Sequence, residues 1–211
     1  MTELAIYLPG FLTAYAILVV AASSPGPAVA MLLGIATSRG RGPAMVATAG
    51  ISVASALLNI GTLLGIGLLL AEAAWAMTIV RFVGAAYLAW LAWGAFRKAA
   101  RGATIRAAEV PAHSAGRYFL MGFLLQITNP KAIIFWLAIA AVGATQGGGS
   151  GVIAAFVIGA WCISFACHGA WAVLLSSRPF RAAYARARRW IEAALGGFFA
   201  VMAFRLATER S

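Results

Sequence analysis

The chain contains no aspartate. Its five acidic residues are all glutamate, against sixteen lysines and arginines in 211 positions. Glu3, Glu72, Glu109, Glu192 and Glu209 map near the ends of hydrophobic runs or between them, so no acidic proton relay is expected deep in an apolar segment. Charge of either sign is scarce, at 10% of residues against roughly a quarter in ordinary globular domains, while hydrophobic residues reach 63%. Only two cysteines occur, Cys162 and Cys167, in one apolar run. Their spacing fits neither a CxxC redox pair nor a metal-ligand pattern, so both read as small buried hydrophobes. No nucleophile–base pair or metal motif is visible, which argues against an enzyme and against a cofactor. Met1-Thr2-Glu3-Leu4 places no basic residue ahead of the first apolar run. A cleaved leader begins with a positive segment, so this first run is expected to be retained.

What the chain does have is a series of apolar runs near twenty residues, the length that crosses roughly 30 Å of hydrocarbon. Six are expected, at about 4–36, 43–70, 75–96, 118–144, 152–175 and 190–207. The formal net charge of +11 would suggest nucleic acid as the partner of a soluble protein. Here the basic residues gather in alternate connections. Arg39 and Arg41 lie in the first, Arg97, Lys98, Arg101, Arg106 and Arg117 in the third, and Arg178, Arg181, Arg186, Arg188 and Arg189 in the fifth. The intervening connections carry only Glu72 or, over 145–151, no charge. The positive-inside rule places the three basic connections in the cytoplasm and both termini outside, with anionic lipid rather than nucleic acid as the basic residues' neighbour.

Two prolines interrupt these runs at nearly matching places. Ser24-Pro25-Gly26-Pro27 breaks the first and Asn129-Pro130-Lys131 the fourth, and Pro25 and Pro130 stand 105 positions apart. Proline removes a backbone donor and clashes with the preceding turn, so each motif should break its helix. A second echo, Ala95-Phe96-Arg97 and Ala203-Phe204-Arg205, has a similar offset. The expected fold is an all-α membrane protein in one domain, 1–211. Its six transmembrane helices form two three-helix repeats, about 1–105 and 106–211, with the first and fourth helices broken at the proline motifs. Three spans per half force the second repeat to be inverted relative to the first.

Paired interruptions in corresponding halves are the sequence pointer to a carrier's binding site. A broken helix exposes unpaired N–H groups where it resumes, and the helix dipole makes that end partly positive. The residues after Pro25 and Pro130 would supply two such ends for a carboxylate, and carbonyls freed ahead of the prolines could accept from an ammonium. Gly26 would let the backbone approach a ligand closely. Lys131 is the one basic residue this map places deep in the membrane. It reads either as a carboxylate anchor or proton-coupling group, or as a structural tie to carbonyls loosened at the Ser24-Pro25 break. His168, in the fifth span, is the other titratable candidate for proton coupling, though a lone histidine there more often serves packing. Asn59 and Gln126 could contact a polar substrate or bond between helices. Gly61 and Gly65 form a GxxxG spacing that should allow close helix contact.

Ser24-Pro25-Gly26-Pro27, Ser38-Arg39-Gly40-Arg41, Gly84-Ala85-Ala86-Tyr87-Leu88-Ala89-Trp90, Gly122-Phe123-Leu124 and Asn129-Pro130-Lys131-Ala132 occur in order along essentially the whole chain. Together they resemble the LysE/RhtB family of amino-acid exporters. That resemblance implies a secondary exporter of amino acids or small derivatives, drawing on the proton-motive force, in the bacterial inner membrane. Many family members carry a polar or histidine position midway along the second span. Here that stretch reads Ala56-Leu57-Leu58-Asn59-Ile60, which leaves Asn59 as the local polar group. The expected partners are an amino-acid-like small molecule and the lipid bilayer, with no nucleic acid and with a homo-oligomer left open. The absence of an acidic residue from the spans tilts the substrate towards neutral amino acids or uncharged derivatives. The alternative is an inorganic-cation carrier, whose site would need clustered Asp, Glu, Cys or His ligands at mid-membrane.

Overall fold

The computed structural model describes residues 4–72, 74–101 and 109–208, and within these it forms eight α-helices and no strand. α1 (Leu4–Ser23) and α2 (Pro27–Arg39) flank the first proline motif, and α5 (Ala115–Ile127) and α6 (Pro130–Ala141) flank the second. The other helices are α3 (Arg41–Glu72), α4 (Ala74–Arg101), α7 (Ser150–Leu174) and α8 (Arg178–Thr208).

Local chemistry sets the boundaries. A residue that precedes proline is pushed out of the helical region, which stops α1 short of Pro25 and α5 short of Pro130. Each following helix then starts with proline in its first turn, where the missing donor costs nothing. α2 ends at Gly40, whose φ of 84° requires glycine, and Gly40 N–H donates to the Ala36 carbonyl at 3.2 Å. Among the described residues, three helices are long and apolar enough to cross a membrane, and α5 with α6 makes a fourth as one span bent by 59°.

The helix assignment differs from the sequence expectation mainly at α8, which begins at Arg178 rather than near residue 190. The arginine-rich stretch is also rich in alanine, and both residues favour helix. Its Phe180 and Tyr184, one turn apart, meet Trp171 of α7, with ring centroids at 6.4 and 5.2 Å.

Because lipid tails are as apolar as leucine, helix association here rests on close packing rather than on expulsion of water. The cores accordingly use small residues: Ala14, Ala44, Ala47 and Ala54 are fully buried. One cluster joins α2, α3, α5 and α7, a second joins α1, α6 and α7, and a third seats α4 and α8 on α6, where Phe135 meets Phe199 at 5.6 Å. The close approach expected at Gly61 and Gly65 lies elsewhere, since a Cβ at either would meet nothing within 4 Å among the described residues. α3 and α5 cross instead at Gly50 and Gly122, each lying against the other helix's backbone.

The basic connections gather at one end. Arg39 Nε donates to the Val110 carbonyl at 2.8 Å, and Val110 N–H donates to Ser38 Oγ at 3.2 Å. Val110 and Phe180 pack on the same core cluster, which brings the α7–α8 connection to that end as well.

Candidate functional site

The two helix breaks meet at Lys131. Its Nζ reaches from the start of α6 to the end of α1, donating to the carbonyls of Ala21 at 3.2 Å and Ser24 at 3.0 Å and to Ser24 Oγ. An ammonium has three donors, so the chain itself engages all of them in this conformation. Ser24 Oγ in turn donates to the Ala21 carbonyl at 2.8 Å. Gly26 gives this bridge room, since a Cβ there would stand 3.2 Å from Lys131 Nζ and 3.4 Å from its Cδ and would press the side chain aside by a few tenths of an ångström.

The breaks are not equivalent. Asn129 caps α6, its Oδ1 accepting from the Lys131 amide at 3.1 Å. Asn129→Ala should cost about 1 kcal/mol through loss of that cap, visible as a lowered melting temperature in detergent. α2 has no side-chain cap. Gly26, extended at φ −161° and ψ −168°, precedes Pro27, and the first-turn amides of α2 have no side chain to receive them.

Lys131 separates two spaces. The smaller, about 40 Å³, is lined by Ser24, Gly26, Ser55, Gln126, Ser164 and His168, and has room for about three waters. The larger, about 290 Å³, lies between the breaks and the α4–α8 pair, with Tyr87, Trp90, Lys98, Lys131 and Glu192 on its walls. That size approaches the lower end, roughly 300 Å³, of ordinary small-molecule sites.

Ser24, Gly26, Pro27, Asn129 and Lys131 line both spaces, and Pro25 and Pro130 line the larger one only. Gln126 Nε2 donates to Ser55 Oγ at 2.9 Å, an interhelical bond at the edge of the smaller space. His168 is buried beside it, with Nδ1 2.9 Å from the Ser164 carbonyl. Asn59 lines neither space: it is 1% exposed and both of its amide atoms lack a hydrogen-bond partner. Cys162 is exposed on α7, not buried as expected, and Cys167 is half-buried.

Sequence reasoning passed over Ser55, which continues a buried polar stripe of Thr48, Ser52 and Asn59 along one face of α3. That helical spacing of polar residues in an apolar run was a usable signal. It also placed Glu192 near a membrane edge. In the structure Glu192 is 2% exposed within α8 and lines the larger space, a burial that its position along the chain did not show.

Apolar helices interrupted at two proline motifs, with one uncapped helix start and a few polar groups around the spaces between them, are the build of a membrane transporter for small solutes. Comparison with known proteins agrees. The family model described as LysE type translocator matches residues 19–210, and the chain belongs to that family: it is a membrane transport protein, not an enzyme. Among its relatives, the threonine efflux protein of Escherichia coli K12 is 32% identical over 95% of this chain and 98% of its own length. That of Salmonella typhi is 30% identical over the same shares. A homoserine/homoserine lactone efflux protein of Salmonella typhimurium is 29% identical over 55% of each chain. No solved structure gives a significant match.

Proposed function

We propose that this protein is a secondary active exporter of amino acids or small amino-acid derivatives across the bacterial inner membrane, driven by the proton-motive force. The observation that carries the reading is the meeting of the two helix breaks at Lys131, beside an α2 N-terminus that no side chain caps. Threonine and homoserine efflux among the relatives supports the substrate class and the direction.

The substrate carboxylate sits at the open end of α2, where orphan amides and the helix dipole favour an anion. Lys131 supplies positive charge beside it, and the substrate competes with Ser24 for one of its donors. α6 is filled by its own Asn129 cap and takes no part in holding the anion directly. Lys131 and His168 both face the smaller space and carry the coupled proton.

The chain crosses the membrane six times, as α1–α2, α3, α4, α5–α6, α7 and α8. The end that gathers the basic connections lies in the cytoplasm, so both termini are outside. Two inverted repeats, about 1–105 and 106–211, are supported by exchanged packing: α3 packs on α5 and α6, and α7 packs on α1 and α2.

Proteoliposomes preloaded with a panel of radiolabelled amino acids, threonine and homoserine among them, test the reading. Efflux of a neutral member should rise at least fivefold when an inward proton gradient is imposed. Monodisperse protein that moves no amino acid, with or without the gradient, would sink it.

A further inference from the structure

We infer that the larger chamber holds an ammonium-binding subsite in which the Glu192 carboxylate, with the Tyr87 and Trp90 rings on the same chamber, receives the amine end of a zwitterionic substrate. This rests on the exporter reading and adds the group by which the substrate's amine is selected.

Glu192 is 2% exposed, and its Oε1 accepts no hydrogen bond among the described residues. Its ion-pair neighbour is Arg188 Nη2 at 3.6 Å, one turn back on the same helix and longer than a hydrogen bond. A buried carboxylate oxygen without a donor is costly, and a ligand N–H would remove that cost.

Tyr87 and Trp90 lie on the same chamber, with ring centroids 5.4 Å apart. Aromatic faces attract ammonium groups through the ring quadrupole, more so away from water. Both signs of charge meet the chamber: Lys131, Lys98 and the uncapped start of α2 line it, and Glu192 on α8 is the one carboxylate among its described lining residues. A molecule with a carboxylate at one end and an amine at the other matches that pairing of charge. A purely anionic solute leaves Glu192 Oε1 without a donor, and a simple cation leaves the α2 amides without an acceptor.

The test uses the full-length protein in proteoliposomes and two labelled probes: the amino acid that the wild-type protein exports fastest, and its N-acetyl derivative. Wild type should prefer the free amine by at least tenfold in kcat/KM. Glu192→Gln should raise KM for the free amine at least tenfold, leave the N-acetyl derivative within twofold, and so erase the preference. Glu192→Asp should recover part of it. An unchanged KM in Glu192→Gln overturns the subsite, as does an equal loss for both probes, which marks a structural role. If Glu192→Gln is not monodisperse, Trp90→Leu decides: a threefold or greater rise in KM for the free amine alone supports the subsite, and no change overturns it. Failure of the wild type to move any amino acid overturns the exporter reading instead, so the two failures are distinct.

Discussion

Lys131→Ala is expected to abolish efflux and, in the same protein, to lower stability by about 2–4 kcal/mol. The stability loss follows from the bridge: the substitution removes the donor shared by the Ala21 and Ser24 carbonyls and Ser24 Oγ, and although Ser24 Oγ still donates to the Ala21 carbonyl, the Ser24 carbonyl loses its Nζ partner. Hydrogen bonds from a charged donor contribute about 1.5–3 kcal/mol each in water-soluble proteins, whereas polar contacts within membranes average nearer 0.6. Three bonds to one buried ammonium fall between these limits. Lys131→Met keeps the apolar stem against Gly26 and removes only the donors, so it isolates the bridge and should lose nearly as much stability as the Ala variant. Thermal unfolding in detergent reads the bridge, and proteoliposome efflux reads the substrate. A Met variant within about 1 kcal/mol of wild type but without efflux assigns Lys131 to the substrate. Ala and Met variants that both keep their stability and their transport would end the view that the two breaks act as one site.

The second large effect is expected where no chemistry occurs. Gly122→Ala should destabilise the fold by about 3 kcal/mol, at the upper end of what overpacking costs. The added Cβ would overlap the carbonyl oxygen and carbon of Ala47 on α3, which are backbone atoms and move only if a helix moves. Gly50→Ala should behave alike, meeting the Phe119 carbonyl and the Phe123 amide of α5. Gly61→Ala and Gly65→Ala lie on the same α3, meet nothing within 4 Å among the described residues, and should be neutral or stabilising by up to about 1 kcal/mol through helix propensity. Thermal unfolding of the four variants decides. Equal behaviour of Gly122→Ala and Gly61→Ala would mean that α3 and α5 do not cross at Gly50 and Gly122.

The helices and their interruptions were legible because they depend on local chemistry. Apolar runs, prolines that cannot continue a helix, and an Asn ahead of Pro130 that can cap one are properties of short stretches of chain. The same holds for the basic residues, whose gathering in alternate connections was visible from their spacing alone. Side-chain partners were not legible. That Lys131 reaches back 107 residues to Ser24, that Gln126 finds Ser55, and that the close crossing falls at Gly50 and Gly122 rather than at Gly61 and Gly65 all depend on how helices rotate about their axes. A rotation of one residue, about 100°, turns a lining group into a lipid-facing one, and spacing within a single helix does not set that rotation.

By itself, then, the sequence determined that this chain is helical and membrane-embedded, that it breaks at Pro25 and Pro130, and that Lys131 stands where a charge needs a partner. Only the tertiary structure decided that the partner is the other break, that α2 is left uncapped while α6 is closed by Asn129, and that Glu192 lies inside against a chamber. The reason is physical: propensity and hydropathy act along a few turns of one helix, whereas burial of a charge is settled by which other helices pack around it.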